Sequence, residues 1–176
     1  MNEMLVNLLM DAQRNYNNVS LRNLRAIEEY FKFEKIDDED VKNLGNRIVE
    51  AIGKTDREYS VCIKDMDNNE VFRYLTSDKA IRNTVFAAMK GNVVRDYKHT
   101  SIYPLIMYSM GFEDISYFNK ENFLPVAGAF PLFEDNKLKY VVEISGFKEG
   151  KDFNAFIDGL SLYLNKKVPM FEGYLV

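Results

Sequence analysis

The segment Lys90-Gly-Asn-Val-Val-Arg-Asp-Tyr-Lys-His-Thr-Ser101 gathers the residue types best suited to chemistry in this chain. It carries His99, the only histidine among 176 residues, with basic, amide and hydroxyl side chains on either side. An imidazole suits acid–base work near neutral pH, metal ligation, or a polar contact with a carboxylate-bearing ligand. The alternative is structural, with His99 bracing the junction of two helices through Thr100 or a backbone carbonyl. Lys90 and Asn92 precede His99 by about two helical turns, so a bend in the chain is needed to bring them together. Lys90 reads most simply as a solvated charge. Asn92 is less comfortable inside a helix and suits a specific hydrogen bond. Ser101 has only His99 as a nearby base, and residues two apart on a helix do not face each other, which argues against a Ser–His hydrolase. His99, Ser101, Asn92 and Lys90 are the candidate ligand contacts, and no residue is assigned a catalytic role.

The remaining reactive side chains offer less. Cys62, the lone cysteine, lies in the apolar run Tyr59-Ser-Val-Cys-Ile63 and reads as a buried, inert thiol. Four successive acids, Asp37-Asp-Glu-Asp40, invite a metal reading. Adjacent side chains on a helix point apart, so a capped helix start fits them better. Asp67-Asn-Asn69 lacks the spacing of a calcium loop and reads as a hairpin turn. No metal site is expected, and no Gly-rich phosphate loop follows a strand.

These residues need a scaffold, and the chain is long enough to provide one. A domain of this size buries roughly 70% of its unfolded surface, so no disulfide or metal is needed to hold it. The formal charge of −4 lacks the basic footprint of a nucleic-acid binder. No apolar run reaches the roughly 18 residues of a membrane span. The N-terminus lacks the positive region and cleavage site of a signal peptide. A cytoplasmic location follows as the default.

Periodicity places the elements. Leu5, Leu8, Leu9, Ala12 and Tyr16 form a helical stripe, with Asn15, Asn17 and Asn18 as a stop. This arm, residues 1–18, packs on the domain or on another subunit. Leu21 to Ile36 fits either a helix capped by Ser20 or, from Tyr30, the start of a sheet. Val41, Leu44, Ile48 and Ile52 mark an amphipathic helix ended by Gly53. Tyr59–Met66 and Glu70–Leu75 read as a hairpin. A helix over Asp78 to about Tyr97 presents Ile81, Val85, Ala88 and Met89 as its apolar stripe, and Gly91 inside it signals close packing or a bend. A second helix spans Ile102 to Met110, with Pro104 in its first turn and Gly111 as its stop. Asn122–Phe133 and Leu138–Gly146 form a second strand pair joined by residues 134–137. The last helix starts near Asp152, its N-cap, and buries Phe153, Phe156, Ile157, Leu160 and Leu164. Pro169 stops it, and an apolar tail, 167–176, follows. Strands joined by short turns and interleaved with helices predict an α+β fold with an antiparallel sheet of about five strands. One domain spans 1–176, with a core at 37–166.

Three ordered segments resemble the haem-degrading-domain family, which includes GlcG-like and HbpS-like proteins and a branch of short uncharacterised relatives. Asp65-Met-Asp-Asn-Asn-Glu-Val-Phe72 is similar to the family's first hairpin. Lys90-Gly-Asn-Val-Val with His99-Thr-Ser101 is similar to the short branch's Lys-x-Asn-x-Val and His-Ser-Ser. Val126-Ala-Gly-Ala-Phe-Pro-Leu132 with Val142-Glu-Ile-Ser-Gly146 is like its Gly-Gly-x-Pro strand and Val-Ser-Gly strand end. The likeness runs from Asp37 to Leu164. It implies a profilin-like domain that assembles into homo-oligomers and binds a small ligand, and it adds Gly128 to the candidate contacts. Two departures stand out. Ala127-Gly128 replaces Gly-Gly, and Asp152-Phe153 replaces the Asp-His found at the start of the short branch's last helix. Haem is the first ligand the resemblance suggests, yet the residue inventory does not favour it and no cofactor is expected. Two other readings compete with ligand binding. One is an enzyme on a small organic molecule, with His99 as acid–base and Asn92 or Lys90 as substrate contacts. The other is an adaptor module assembled through its terminal arms.

Overall fold

The computed structural model describes residues 3–114, 118, 120–148 and 150–175. Met1 and Asn2 of the expected arm, and Val176 of the expected tail, lie outside them. The fold is α+β. Helices α1 (Glu3–Asn15) and α2 (Asn18–Glu28) lead into the short strand β1 (Lys32–Phe33) and helix α3 (Asp38–Ile52). The hairpin β2 (Ser60–Asp65) and β3 (Glu70–Leu75) precedes helices α4 (Ile81–Tyr97) and α5 (Tyr103–Ser109). A second hairpin, β4 (Ala129–Glu134) and β5 (Lys137–Ser145), and helix α6 (Lys151–Leu164) complete it.

The five strands lie in the order β1-β4-β5-β2-β3. All neighbours are antiparallel except β1, which adds to β4 in parallel through Lys32 opposite Phe133 and Phe33 opposite Glu134. The sheet is therefore mixed, with its one parallel pairing confined to a two-residue edge. Leu21–Ile36 resolves its ambiguity by doing both: a helix, then a 3-10 turn, then this edge strand. Asn17, expected to end α1, instead caps α2. Its side chain accepts from the Val19 and Ser20 backbone N–H, while Ser20 Oγ accepts the Asn17 N–H. Ser20 is thus the reciprocal partner of a capping box and not the cap itself.

The four acids do what helix capping asks. Asp37 Oδ1 accepts from the Glu39 and Asp40 N–H groups, and Asp40 returns a bond to the Asp37 N–H. Asp38 and Asp40 accept from Tyr140 and Tyr163 hydroxyls, which tie α3 to β5 and α6. Among the described residues no group of three acids, cysteines or histidines is placed to hold a metal.

Strand alternation divides the sheet into two unlike faces. Val61, Ile63, Phe130, Leu132, Val142 and Ile144 join α3 and α6 in the apolar core. The rings of Phe130 and Phe156 stack at 4.0 Å there. Helix α1 adds Leu8, Leu9 and Ala12 to the same core, Tyr16 just after it joins them, and the tail adds Val168 and Phe171. Both arms contribute to the core of their own domain, while Val6 and Met10 of α1 and Met170 and Tyr174 of the tail stay exposed.

The opposite face, under α4, carries Ser60, Cys62, Lys64, Glu143 and Ser145. Glu143 is 1% exposed and paired with Lys64 at 2.8 Å and with Arg95 of α4 at 2.9 Å. This polar layer overturns the expected packing of α4. Ile81 and Val85 of the predicted apolar stripe face solvent, as does Phe86, while Asn83, Ala87, Lys90, Gly91 and Val94 turn inward. Gly91 lies there for close packing, because a side chain would collide with the Glu143 carboxylate.

Helices α3 and α6 also meet closely. A Cβ on Gly159 would lie 2.5 Å from the Ile48 Cα and 2.8 Å from its backbone nitrogen. Backbone cannot rotate away as a side-chain tip can. Gly159→Ala is expected to lower stability by about 1–3 kcal/mol despite the better helix propensity of Ala, measured as a shift in the urea midpoint.

Candidate functional site

Lys90 is the centre of the site, and it is not solvated. It sits on the inner face of α4, 4% exposed, and its Nζ donates to Asp152 Oδ2 at 2.6 Å and to the Ile144 carbonyl at 3.1 Å. An ammonium has three hydrogens, so one donor remains uncommitted. Asp152 was expected as the N-cap of α6. It lies instead inside the first turn, after Gly150 at φ 69°, and its Oδ1 accepts the Phe147 N–H at 3.1 Å. Burial pushes the Asp152 carboxyl above its ordinary value, against the downward pull of Lys90.

Gly128 makes this pairing reachable. Its φ of +131° is a conformation side chains avoid, and an added Cβ would sit 2.6 Å from Lys90 Nζ. Where the family pattern has two glycines, the second is the one this close approach requires. Ser101 holds the turn from the other side. Its Oγ donates to the Val126 carbonyl at 2.5 Å and accepts the Ala129 N–H at 3.0 Å, bracketing Ala127-Gly128. Upstream of this turn the expected strand over Asn122–Gly128 does not form. Pro125 has no N–H to give to a ladder, and the Leu124 N–H goes to the Met89 carbonyl of α4 instead.

A cavity of about 260 Å³ opens beside the ion pair, bounded by Lys90, Asp152, Val126, Ala127, Phe147 and Leu175. Lys148 stands at the same cavity and has no ion-pair partner among the described residues.

His99 lies elsewhere. Its Nδ1–H donates to Glu28 Oε2 at 2.6 Å, and its ring stacks on Tyr103 at 4.0 Å. Glu28 is 6% exposed and its other oxygen accepts the Thr100 N–H and hydroxyl. A helix-junction brace was one of the expected readings, but the partner is this carboxylate and not Thr100 or a carbonyl. The imidazole borders a separate cavity of about 220 Å³. Asn92 is remote from both, its amide donating to the Asn122 carbonyl at 3.0 Å. Cys62 is buried in the sheet, and burial pushes its thiol up to about 12.

The fold thus unites Lys90, Gly128 and, as a support, Ser101, and separates them from His99 and Asn92. Sequence reasoning missed Asp152 as the counter-ion and Glu28 as the imidazole's partner. Both had a signal. Each is a charged residue on an otherwise apolar helix stripe, Glu28 one turn after Leu24 and Asp152 one turn before Phe156.

The family described as haem degrading protein, HbpS-like, matches residues 36–161, which include Lys90, Gly128 and Asp152. The chain belongs to the HbpS-like family. Glu28 lies before the matched region of the HbpS-like domain, so the His99 pairing depends on the N-terminal helices. Solved structures share the fold. The Ybr137w protein is 17% identical with a TM-score of 0.71, covering 94% of this chain and 97% of its own. HbpS is 16% identical with a TM-score of 0.59, covering 72% and 89%. A PduOC:heme complex is 16% identical with a TM-score of 0.60, covering 77% and 99%. No curated protein sequence matches this chain significantly. No helix among the described residues is long and apolar enough to cross a membrane.

The ion pair sets a stability test. The folded Asp152 value lies above the unfolded one, so the folded protein holds this proton more tightly. Its contribution to stability therefore declines as pH rises from the unfolded value through the folded one. Lys90→Met strands the carboxylate in the interior, and should cost about 3–5 kcal/mol at neutral pH. The loss should shrink as pH falls and Asp152 takes up its proton. Urea titrations at two pH values check both the size and the sign.

Proposed function

We propose that this HbpS-like protein binds a small organic molecule, bearing a carboxylate or carbonyl oxygen, in the cavity floored by Lys90 and Asp152. The observation that carries the reading is a buried ammonium with one free hydrogen at the base of a largely apolar cavity. Lys90 and Asp152 offset one another, and Lys148 at the rim adds a positive charge that favours a carboxylate over a cation. Gly128 keeps backbone and ligand space open beside the ammonium. The size supports a compact metabolite, since about 260 Å³ lies just below the roughly 300–1,000 Å³ typical of drug-sized ligands.

Haem, bound in the PduOC:heme complex, fits this reading poorly. Neither the Lys90 cavity nor the His99 cavity has room to enclose a macrocycle. The sole imidazole has one nitrogen on Glu28 and one face on Tyr103. An enzyme using His99 with Lys90 or Asn92 is likewise weakened, because these residues line different parts of the molecule.

A thermal-shift screen of small carboxylates and keto acids, with haem as a further arm, tests the proposal. Binding of at least one such acid is expected, and it should vanish in the Lys90→Gln/Asp152→Asn double variant, which keeps a neutral hydrogen bond in place of the charges. The reading fails if the double variant binds as the parent does, or if haem alone gives a saturable one-to-one spectrum that His99→Ala abolishes.

Self-association belongs to the same reading. The exposed apolar row Ile81, Val85 and Phe86 on α4 supports a homo-oligomeric contact. Phe86→Glu should lower the particle mass measured by light scattering, while an unchanged mass would exclude this row from the assembly.

A further inference from the structure

The cavity at His99 has features that helix bracing alone does not account for. Glu28 is buried and fixed by three donors: the His99 Nδ1–H, the Thr100 N–H and the Thr100 hydroxyl. With Nδ1 committed and the ring held flat against Tyr103, the other ring nitrogen, Nε2, has a fixed direction and no partner among the described residues. The wall around it is cationic. Arg25 of α2 and Lys98, which ends α4 in a left-handed conformation, both line the cavity, and neither has an ion-pair partner among the described residues. Lys32 and Glu29 also reach it, but they pair with each other at 2.5 Å and largely cancel. Phe133 closes the apolar side. Two unpaired cations and an oriented imidazole thus converge on one small cavity, in a chain whose formal charge is −4.

We infer that His99 Nε2, Arg25 and Lys98 form a second ligand site for a compact oxyanion, the phosphate of a phosphomonoester or a carboxylate. The anion accepts from the Arg25 guanidinium, whose planar fork matches two oxygens of such a group, from the Lys98 ammonium and, when both ring nitrogens carry a proton, from His99 Nε2–H. Glu28 also lines the cavity and acts as a positioning residue: it fixes the ring through Nδ1. Arg25 and Glu28 both come from α2, so the site exists only where the N-terminal helices dock. It shares no lining residue with the Lys90 cavity, and the two sites stand or fall separately.

His99 being the only histidine, its imidazole resonances report on this cavity without assignment ambiguity. The full chain is titrated with inorganic phosphate and, separately, with acetate, chloride being adjusted to hold ionic strength constant. Phosphate, acetate or both are expected to move the His99 signals saturably, the arm that saturates identifying the class of anion. Arg25→Gln with Lys98→Asn should weaken binding about tenfold or more, as loss of charge-assisted hydrogen bonds requires. Both side chains are exposed, so the variant should keep the parent's melting temperature. Glu28→Gln should change the tautomer signature of the ring, while Glu28→Asp should partly restore it. The inference is overturned if neither anion gives a saturable shift, or if the double variant, with unchanged melting, binds as tightly as the parent. The Lys90→Gln/Asp152→Asn variant should bind the anion like the parent, whatever the fate of the other cavity.

Discussion

Charge buried between helix α4 and the sheet governs much of this molecule. Glu143 and Asp152 are almost completely enclosed, and an isolated carboxylate in such a place would cost several kcal/mol. Each is therefore matched to a cation delivered by α4: Arg95 for Glu143, with Lys64 from the neighbouring strand, and Lys90 for Asp152. Two residues on one helix, five apart, fix both the height and the rotation of α4 over β5. The consequence reaches the surface. With Asn83, Lys90 and Gly91 turned inward, the helix presents Ile81, Val85 and Phe86 outward.

The same constraint shapes the backbone around the candidate site. A lysine can meet Asp152 only if the chain at residue 128 has no side chain, and Gly128 with its positive φ supplies that gap. Ser101 then pins the residues on both sides of the gap. Removing the counter-ion, adding a Cβ or losing the hydroxyl would each act on the same few ångströms. This is why a stretch of Gly and apolar residues, weak as a motif, occupies so central a position in the fold.

The two cavities differ in origin. The Lys90 cavity is built within the region matched by the HbpS-like family, from α4, the β4 approach and the start of α6, with the tail at its mouth. The His99 cavity draws Arg25 and Glu28 from α2 and Glu29 and Lys32 from the segment after it, all before that region. Besides the shared apolar core, the carboxylate of Glu28 ties the N-terminal helices to the loop after α4 at three points.

The sequence by itself determined the elements wherever periodicity and turn chemistry agree. Asp37 capping α3, Gly53 ending it, the Asp67–Asn69 turn and the apolar stripe of α6 were all legible, because each depends on neighbours within a turn or two of chain. The ordered family segments also located Lys90, Gly128 and Ser101, though not what they do. Tertiary structure alone decided which stripe of α4 faces inward, since that depends on Glu143 some fifty residues away. It also decided that Lys90 is buried, that Asp152 is its partner rather than a cap, and that His99 answers to Glu28. These are contacts between residues distant in the chain, and burial reverses the ordinary preference of a charge for water only when its counter-ion is already in place. A local pattern cannot encode that condition.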